Sequence, residues 1–430
     1  MLKITRLASL MTLSLLGATA AHAKNVHSTN AVVEWNEIAM AAVTAQRPGP
    51  QSMLDISLVH IAVNDAVQSI ENRFEPYNVE IKGAKGSRSA AVAAAAHGVL
   101  VGMYQGTNQE VEVDNAYHQY VANRGLLGDP GLEVGRAVAT RILPLRRATP
   151  VDYPPFTGGT EIGQWRPEVA GGSMVTPWLG VTDPFTLTGP ARFRADPPPA
   201  LTSERYRKDY DEVKALGAVD SKVRTAEQTD LGHFYNDNFF NQWNRVLRSI
   251  AKRYSLNTGD SARLFALANM AAADALITGW DSKAHYAIWR PSTAIQHGDI
   301  DGNPKTVGDP SWQPLTPNPS YPDYTSGANS LIGAMTRTME LFFGTDRKTF
   351  EVTSLNQAAK KKTRTYQRFS DASADAVEAR IYLGIHFRFA DTAARTQGRQ
   401  VAEHAFKHFL QPKARKGPKD HAKFFESFDD

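Results

Sequence analysis

The chain has 430 residues, 42% hydrophobic and 21% charged, and it contains no cysteine. Those fractions are ordinary for a globular protein and exclude a disordered, collagen-like or coiled-coil chain. The absence of cysteine excludes disulfides, thiol catalysis, iron–sulfur clusters and Cys-ligated zinc, and a net charge of +4 is too balanced for a nucleic-acid-binding protein.

In chain order, Met1 to Arg6 is a short basic stretch, Leu7 to Gly17 is apolar, and Ala21-His22-Ala23 has the small-x-small form of a signal-peptidase site. Together they predict a signal peptide over residues 1–23 and a periplasmic or secreted product. Residues 24–149 read as a helical region, with Ala-rich stretches such as Ala90 to Val101. Over 150–201 the character changes. Seventeen of the residues 150–199 are Gly or Pro, too many for long helices, and the interspersed Trp165, Trp178, Phe185 and Phe193 predict an ordered wrap over the body.

Helices resume as a bundle over 202–411, expected near 202–216, 224–254, 260–290, 328–343, 346–362, 371–387 and 391–411, with a proline-rich connection over 291–325. The most apolar stretch, Leu264 to Trp280, carries Asp274 in its middle, so no stable membrane insertion is expected. Residues 412–430 form a basic, solvated tail. The fold class is all-α. The oligomeric state is not encoded in any of these features.

Familiar nucleotide, zinc-protease and hydrolase motifs are absent. His404 and His408 are spaced i, i+4 but lack a third ligand nearby, and they read as a solvated helix face. Three other pieces each look built for an oxyanion. In Trp280 to Pro291, a continuous helix would place Trp280, Lys283, Ala287 and Arg290 within a stripe about 80° wide, ended by Pro291. In Tyr321 to Ser330, Ser326-Gly327 offers a hydroxyl and free amides at a helix entrance. In Arg380 to Arg388, Arg380 and Gly384 would share a face, and His386 meets Arg380 only if the helix ends or bends. Jointly they describe a cationic cradle holding a nucleophile or ligand.

Here the sequence resembles the superfamily of vanadium-dependent haloperoxidases and type 2 phosphatidic-acid phosphatases. Lys283 to Pro291 matches its K-x6-RP element, Thr325 to Ala328 stands at its PSGH, and Ala379 to His386 at its SR-x3-GxH, in family order. The resemblance implies helical bundles of the haloperoxidase type, in an exported bacterial haloperoxidase-like protein. It implies vanadate, or phosphate in its place, held by Lys283, Arg290, Arg380, Ser326 and the Gly327 amide, with His386 on vanadium or attacking phosphorus. Trp280 and Tyr321 would line the substrate side. Hydrogen peroxide and a halide or organic reductant would be the reactants, Lys283 polarising the bound peroxide.

Three positions depart from the pattern: Thr325, Ala379 and, above all, Ala328, where the family carries its acid–base histidine. A positioned acid–base contributes ~10²–10⁴-fold, so reduced halide oxidation is expected. Of nearby residues, Asp323 and His285 could carry protons, but on an ideal helix His285 points away from Lys283. Two other readings stand beside haloperoxidase activity: a periplasmic phosphatase with His386 as nucleophile, and a non-catalytic oxyanion-binding protein.

Overall fold

The computed structural model describes residues 30–147, 150 and 152–414. The expected signal peptide therefore lies outside the described residues, as does most of the basic tail. Five helices come first: α1 (Ala31–Gln46), α2 (Pro50–Glu71), α3 (Arg88–Met103), α4 (Asn108–Asn123) and α5 (Pro130–Ile142). Their starts are chemically marked. Asn30, Ser87, Thr107 and Asp129 each accept a first-turn amide with the side chain, and Pro130 follows Asp129 at a position where no amide is needed.

The second bundle contains α6 (Glu204–Gly217), α7 (Ala226–Tyr235), α8 (Phe239–Arg253), α9 (Thr258–Tyr286), α10 (Pro291–Gln296), α11 (Gly327–Phe343), the strands β1 (Phe350–Thr353) and β2 (Thr363–Tyr366), then α12 (Phe369–Tyr382) and α13 (Arg388–His408). The 29-residue α9 is the axis of the molecule, packing on α2 from the first bundle and on α11 and α13 from the second. Buried on nearly every side, it is Ala-rich rather than amphipathic, as a central helix must be. Its Asp274 is fully buried and accepts the Phe185 amide at 2.7 Å and the Thr186 amide and hydroxyl at 2.6 Å each. Among the described residues no helix is long and apolar enough to cross a membrane.

Between the bundles, the Gly/Pro-rich stretch holds only two short 3-10 turns among its described residues, Pro177–Val181 and Pro190–Phe193. It nonetheless packs on α9. Trp165 is buried and stacks on Phe156 at 6.0 Å, and its amide donates to Ala287 O at 2.6 Å while the Trp289 amide donates to Gly163 O at 2.9 Å.

Two helix expectations fail. Residues 346–362 do not form a helix but lead through β1 toward its hairpin partner, with Phe350 paired to Tyr366 and Val352 to Arg364. Phe350 and Val352 alternate inward, and Phe350 stacks on Tyr366 at 5.7 Å; β-branched alternation outweighs the helical composition there. The predicted single helix over 224–254 breaks at Asn236 to Asn238, because Asn238 turns its side chain onto the Asn241 amide and caps a new helix. At the tail, Lys413 is tethered to Glu80 at 3.0 Å, and its amide reaches Arg73 O, so the first tail residues are pinned.

Candidate active site

The expected geometry of the first piece needs correction. α9 stops at Tyr286, four residues before Arg290, with Ala287 in the left-handed conformation and its amide on Lys283 O at 3.0 Å. Lys283 thus lies in the last turn of α9, while Arg290 is the N-cap residue of α10 and Pro291 opens that helix instead of ending the previous one. The two backbone bonds from Trp165 and Trp289 hold this turn against the interbundle segment. Lys283 and Arg290 still converge, but through a turn rather than a shared helix face.

Both cations are buried and reach the same loop. Lys283 Nζ donates to Pro322 O at 2.6 Å and Asp323 O at 3.1 Å. Arg290 Nε donates to Tyr321 O at 2.7 Å and its Nη1 to Ile385 O at 2.6 Å. Tyr321 lies under both, each cation 4.7 Å from its ring, with Trp280 at 5.1 Å between centroids. Trp280 can lie there because position 327 is glycine: a Cβ would meet its ring at 2.7 Å.

Ser326 is the N-cap residue of α11, yet its side chain does not cap the helix. Plain capping is therefore not its role, and the first amides of α11 have no intrahelical partner. Ala328 follows in the first turn, buried.

The third piece also departs from expectation in detail. α12 ends at Tyr382, so the chain does turn before His386. Gly384 is not on the helix face of Arg380. At φ +77° it lies in the left-handed region, and a Cβ would come within 2.4 Å of Gly217 O; the glycine lets α6 approach rather than an anion. Arg380 is buried, with Nη1 3.5 Å from Tyr235 O. His386 is buried too, and its Nδ1 lies 2.6 Å from Asp323 Oδ1. When Asp323 is ionised, its carboxylate accepts the proton of Nδ1 in a hydrogen bond and leaves the lone pair on Nε2. His285 is exposed on the far side of α9, and His404 spends its Nε2 on Thr186 O at 3.1 Å.

The electrostatics are those of a site dominated by buried positive charge. Lys283 is held well below the ordinary lysine range by burial, then by Arg290. Arg290 and Arg380 are lowered by burial too. His386 is held well below its usual value by burial and by all three cations. Burial pushes Asp323 up to about 8, against Arg290 and Lys283.

Among the described residues, several buried polar atoms in this small volume have no hydrogen-bond partner: Arg290 Nη2, Arg380 Nε and Ser326 Oγ as donors, Asp323 Oδ2, Asn329 Oδ1 and Asp391 Oδ2 as acceptors. Leaving such atoms unpaired costs about 1–3 kcal/mol each. A compact oxyanion carrying a hydroxyl would satisfy both kinds, so the donor set fits vanadate or phosphate.

Asp391 is a residue that the sequence does not single out. It is wholly buried in the first turn of α13, bonded through Oδ1 to Asn329 Nδ2 at 2.7 Å. An acid between Phe389-Ala390 and Ala393-Ala394 is the available signal.

Residues 263–413 match the VCPO second helical-bundle domain. The chain is 24% identical to the vanadium chloroperoxidase of Curvularia inaequalis, over 86% of this chain and 80% of that protein. Among solved structures, a bacterial vanadium-dependent iodoperoxidase superposes with a TM-score of 0.75 at 21% identity, covering 89% of this chain and 98% of that one. The holo-type bacterial vanadium-dependent chloroperoxidase gives a TM-score of 0.66 at 18% identity, over 85% and 93% of the two chains.

Proposed function

We propose that this chain, which belongs to the vanadium haloperoxidase family, binds vanadate, or phosphate in its place, and uses hydrogen peroxide to oxidise a halide or an organic reductant. The reading is carried by one observation: among the described residues, buried donors on Arg290, Arg380 and Ser326 stand without partners beside a histidine oriented by Asp323. Lys283, Arg290 and Arg380 would neutralise the oxyanion, Ser326 and the Gly327 amide would add hydrogen bonds, and His386 Nε2 would be the ligand to vanadium. Bound vanadate would supply the Lewis-acidic centre at which peroxide becomes reactive toward a two-electron reductant. Tyr321 and Trp280 cover the cations with aromatic surface and restrict water. Lys283 is wholly buried, and in such a low-dielectric setting its ammonium would stabilise developing negative charge strongly. Ala328 provides no proton, which lowers the turnover to be expected of this site.

The test is bromide oxidation with hydrogen peroxide during vanadate titration, beside p-nitrophenyl phosphate hydrolysis without vanadate. Vanadate-dependent bromide oxidation supports the reading. Hydrolysis without it would assign a phosphatase with His386 as nucleophile, and tight binding without turnover in either assay a non-catalytic oxyanion-binding protein. The export expected from residues 1–23 belongs to the same proposal, and a mature protein retaining Met1 would contradict it.

A further inference from the structure

We infer that Asp391, acting through the Ser326 hydroxyl, holds the exchangeable proton that position 328 cannot provide, as a positioning residue of the oxyanion site. This rests on the oxyanion-binding reading above.

The geometry comes from the junction of two helix starts. The Ser326 amide donates to Ala390 O at 3.3 Å, which sets the head of α11 against the first turn of α13. Asn329, one turn into α11, anchors Asp391 by Oδ1, and Oδ2 is left without a partner among the described residues. Ser326 lies close enough to make Asp391 more acidic, yet its buried Oγ completes no hydrogen bond of good geometry. The Ser326 hydroxyl and the Asp391 carboxyl thus face one another beside the cradle.

Their protonation states have opposite consequences. With a proton on Oδ2, Asp391 donates to Ser326 Oγ, and the serine hydrogen is directed to the anion. When Asp391 is ionised, the serine hydrogen turns to the carboxylate, and a negative charge adjoins the site. Other charges facing Asp391 are Arg380 on α12, Lys283 on α9, Arg290 at the head of α10 and Asp323 in the preceding loop. Arg388, on its own helix, is bound to Glu212 of α6 and Glu378 of α12. Burial raises Asp391 to about 7, opposed by Ser326, Asn329 and Arg380. In the transfer itself, the Oδ2–H bond breaks as Ser326 Oγ takes that proton and passes its own to an oxyanion oxygen. The carboxyl becomes a carboxylate, no electrons change hands, and solvent returns the proton when the anion exchanges.

Sulfate is the probe, because its charge stays constant over the measured range. Its affinity for the full chain and for Asp391→Asn is measured on both sides of pH 7, with calorimetry in two buffers of different ionisation enthalpy to count protons. In the wild type above about pH 7, binding should take up a proton at Asp391, and affinity should fall by about tenfold per pH unit from this group. In Asp391→Asn that increment disappears, while any contribution from Asp323 remains in both proteins. An unchanged slope and proton count would overturn the inference and leave the oxyanion reading standing; no sulfate binding at any pH would overturn both. If Asp391→Asn does not fold, infrared spectroscopy decides on the wild type. A protonated-carboxyl band that shifts on adding sulfate, and is altered in Ser326→Ala, supports the inference, and a band indifferent to both overturns it.

Discussion

His386 owes its orientation to Asp323, a neighbour 63 residues away in sequence. Asp323→Asn keeps the shape but no longer selects the tautomer with the proton on Nδ1. Vanadate affinity should fall by ~10–100-fold, the usual cost of losing a carboxylate behind a ligating histidine. The same titration on His386→Ala should lose the vanadium-bound signal while weak phosphate binding by the three cations persists. An Asp323→Asn protein with unaltered vanadate affinity would show that burial alone sets the ring. Lys283, Arg290 and His386 are legible in the sequence because such groups are rare in stretches otherwise rich in Ala, Ile and Trp. Asp323 is legible only as a nearby acid and not as the partner of His386, and Asp391 is not legible at all, since an acid acquires its role here from a long-range contact that no spacing records.

At the scale of elements, caps make helix starts readable: Asn30, Ser87, Thr107, Asn238 and Asn257 all bond first-turn amides. Helix ends are another matter. α9 continues in composition through Arg290, yet it stops at Tyr286 where the interbundle segment supplies partners for the Ala287 carbonyl and the Trp289 amide. The hairpin at 350–366 likewise depends on the ring contact between Phe350 and Tyr366, which the local composition of either strand does not announce. Gly384 tests how tightly the α12–α13 connection is set. Gly384→Ala adds backbone strain of about 1–3 kcal/mol and a clash with Gly217 O, so it should lower the melting temperature and weaken oxyanion binding together. A variant as stable as the wild type would show that α6 yields readily.

For the whole molecule, buried cations gathered at one point are a cost of folding that an anionic ligand can offset. Inorganic phosphate at 100 times its dissociation constant should stabilise the chain by about 2.7 kcal/mol, read as a rise in melting temperature, and Lys283→Ala should reduce that rise. Stability should also depend on pH. Asp391 and Asp323 are raised to about 7 and about 8 in the folded state. Each therefore costs nothing below its unfolded value and penalises folding progressively as pH rises from there to its folded value. His60, lowered to about 3 by burial, acts in the opposite sense, penalising folding as pH falls from about 6.5 toward 3. Lys283, held well below its usual value by burial, also penalises folding as pH falls and so opposes the two acids above pH 6.5. Thermal melts of Lys283→Met without phosphate should therefore show declining stability between about pH 6.5 and pH 8, and a flat profile in that variant would contradict these burial effects.

The turn between Lys283 and Arg290 is splinted by the backbone of Gly163 and Trp165, and a few residues farther on, Glu168 to Gly171 are exposed. A protease that severed the chain there would remove no side chain of the cradle and break neither splinting bond. Yet it would free one end of the splint from the strand of chain that continues to Trp178 and Leu179 on α9. The two fragments would stay associated through their buried aromatic residues, while the spacing of the two cations lost its brace. Nicking at this point would therefore silence the protein before it unfolded it.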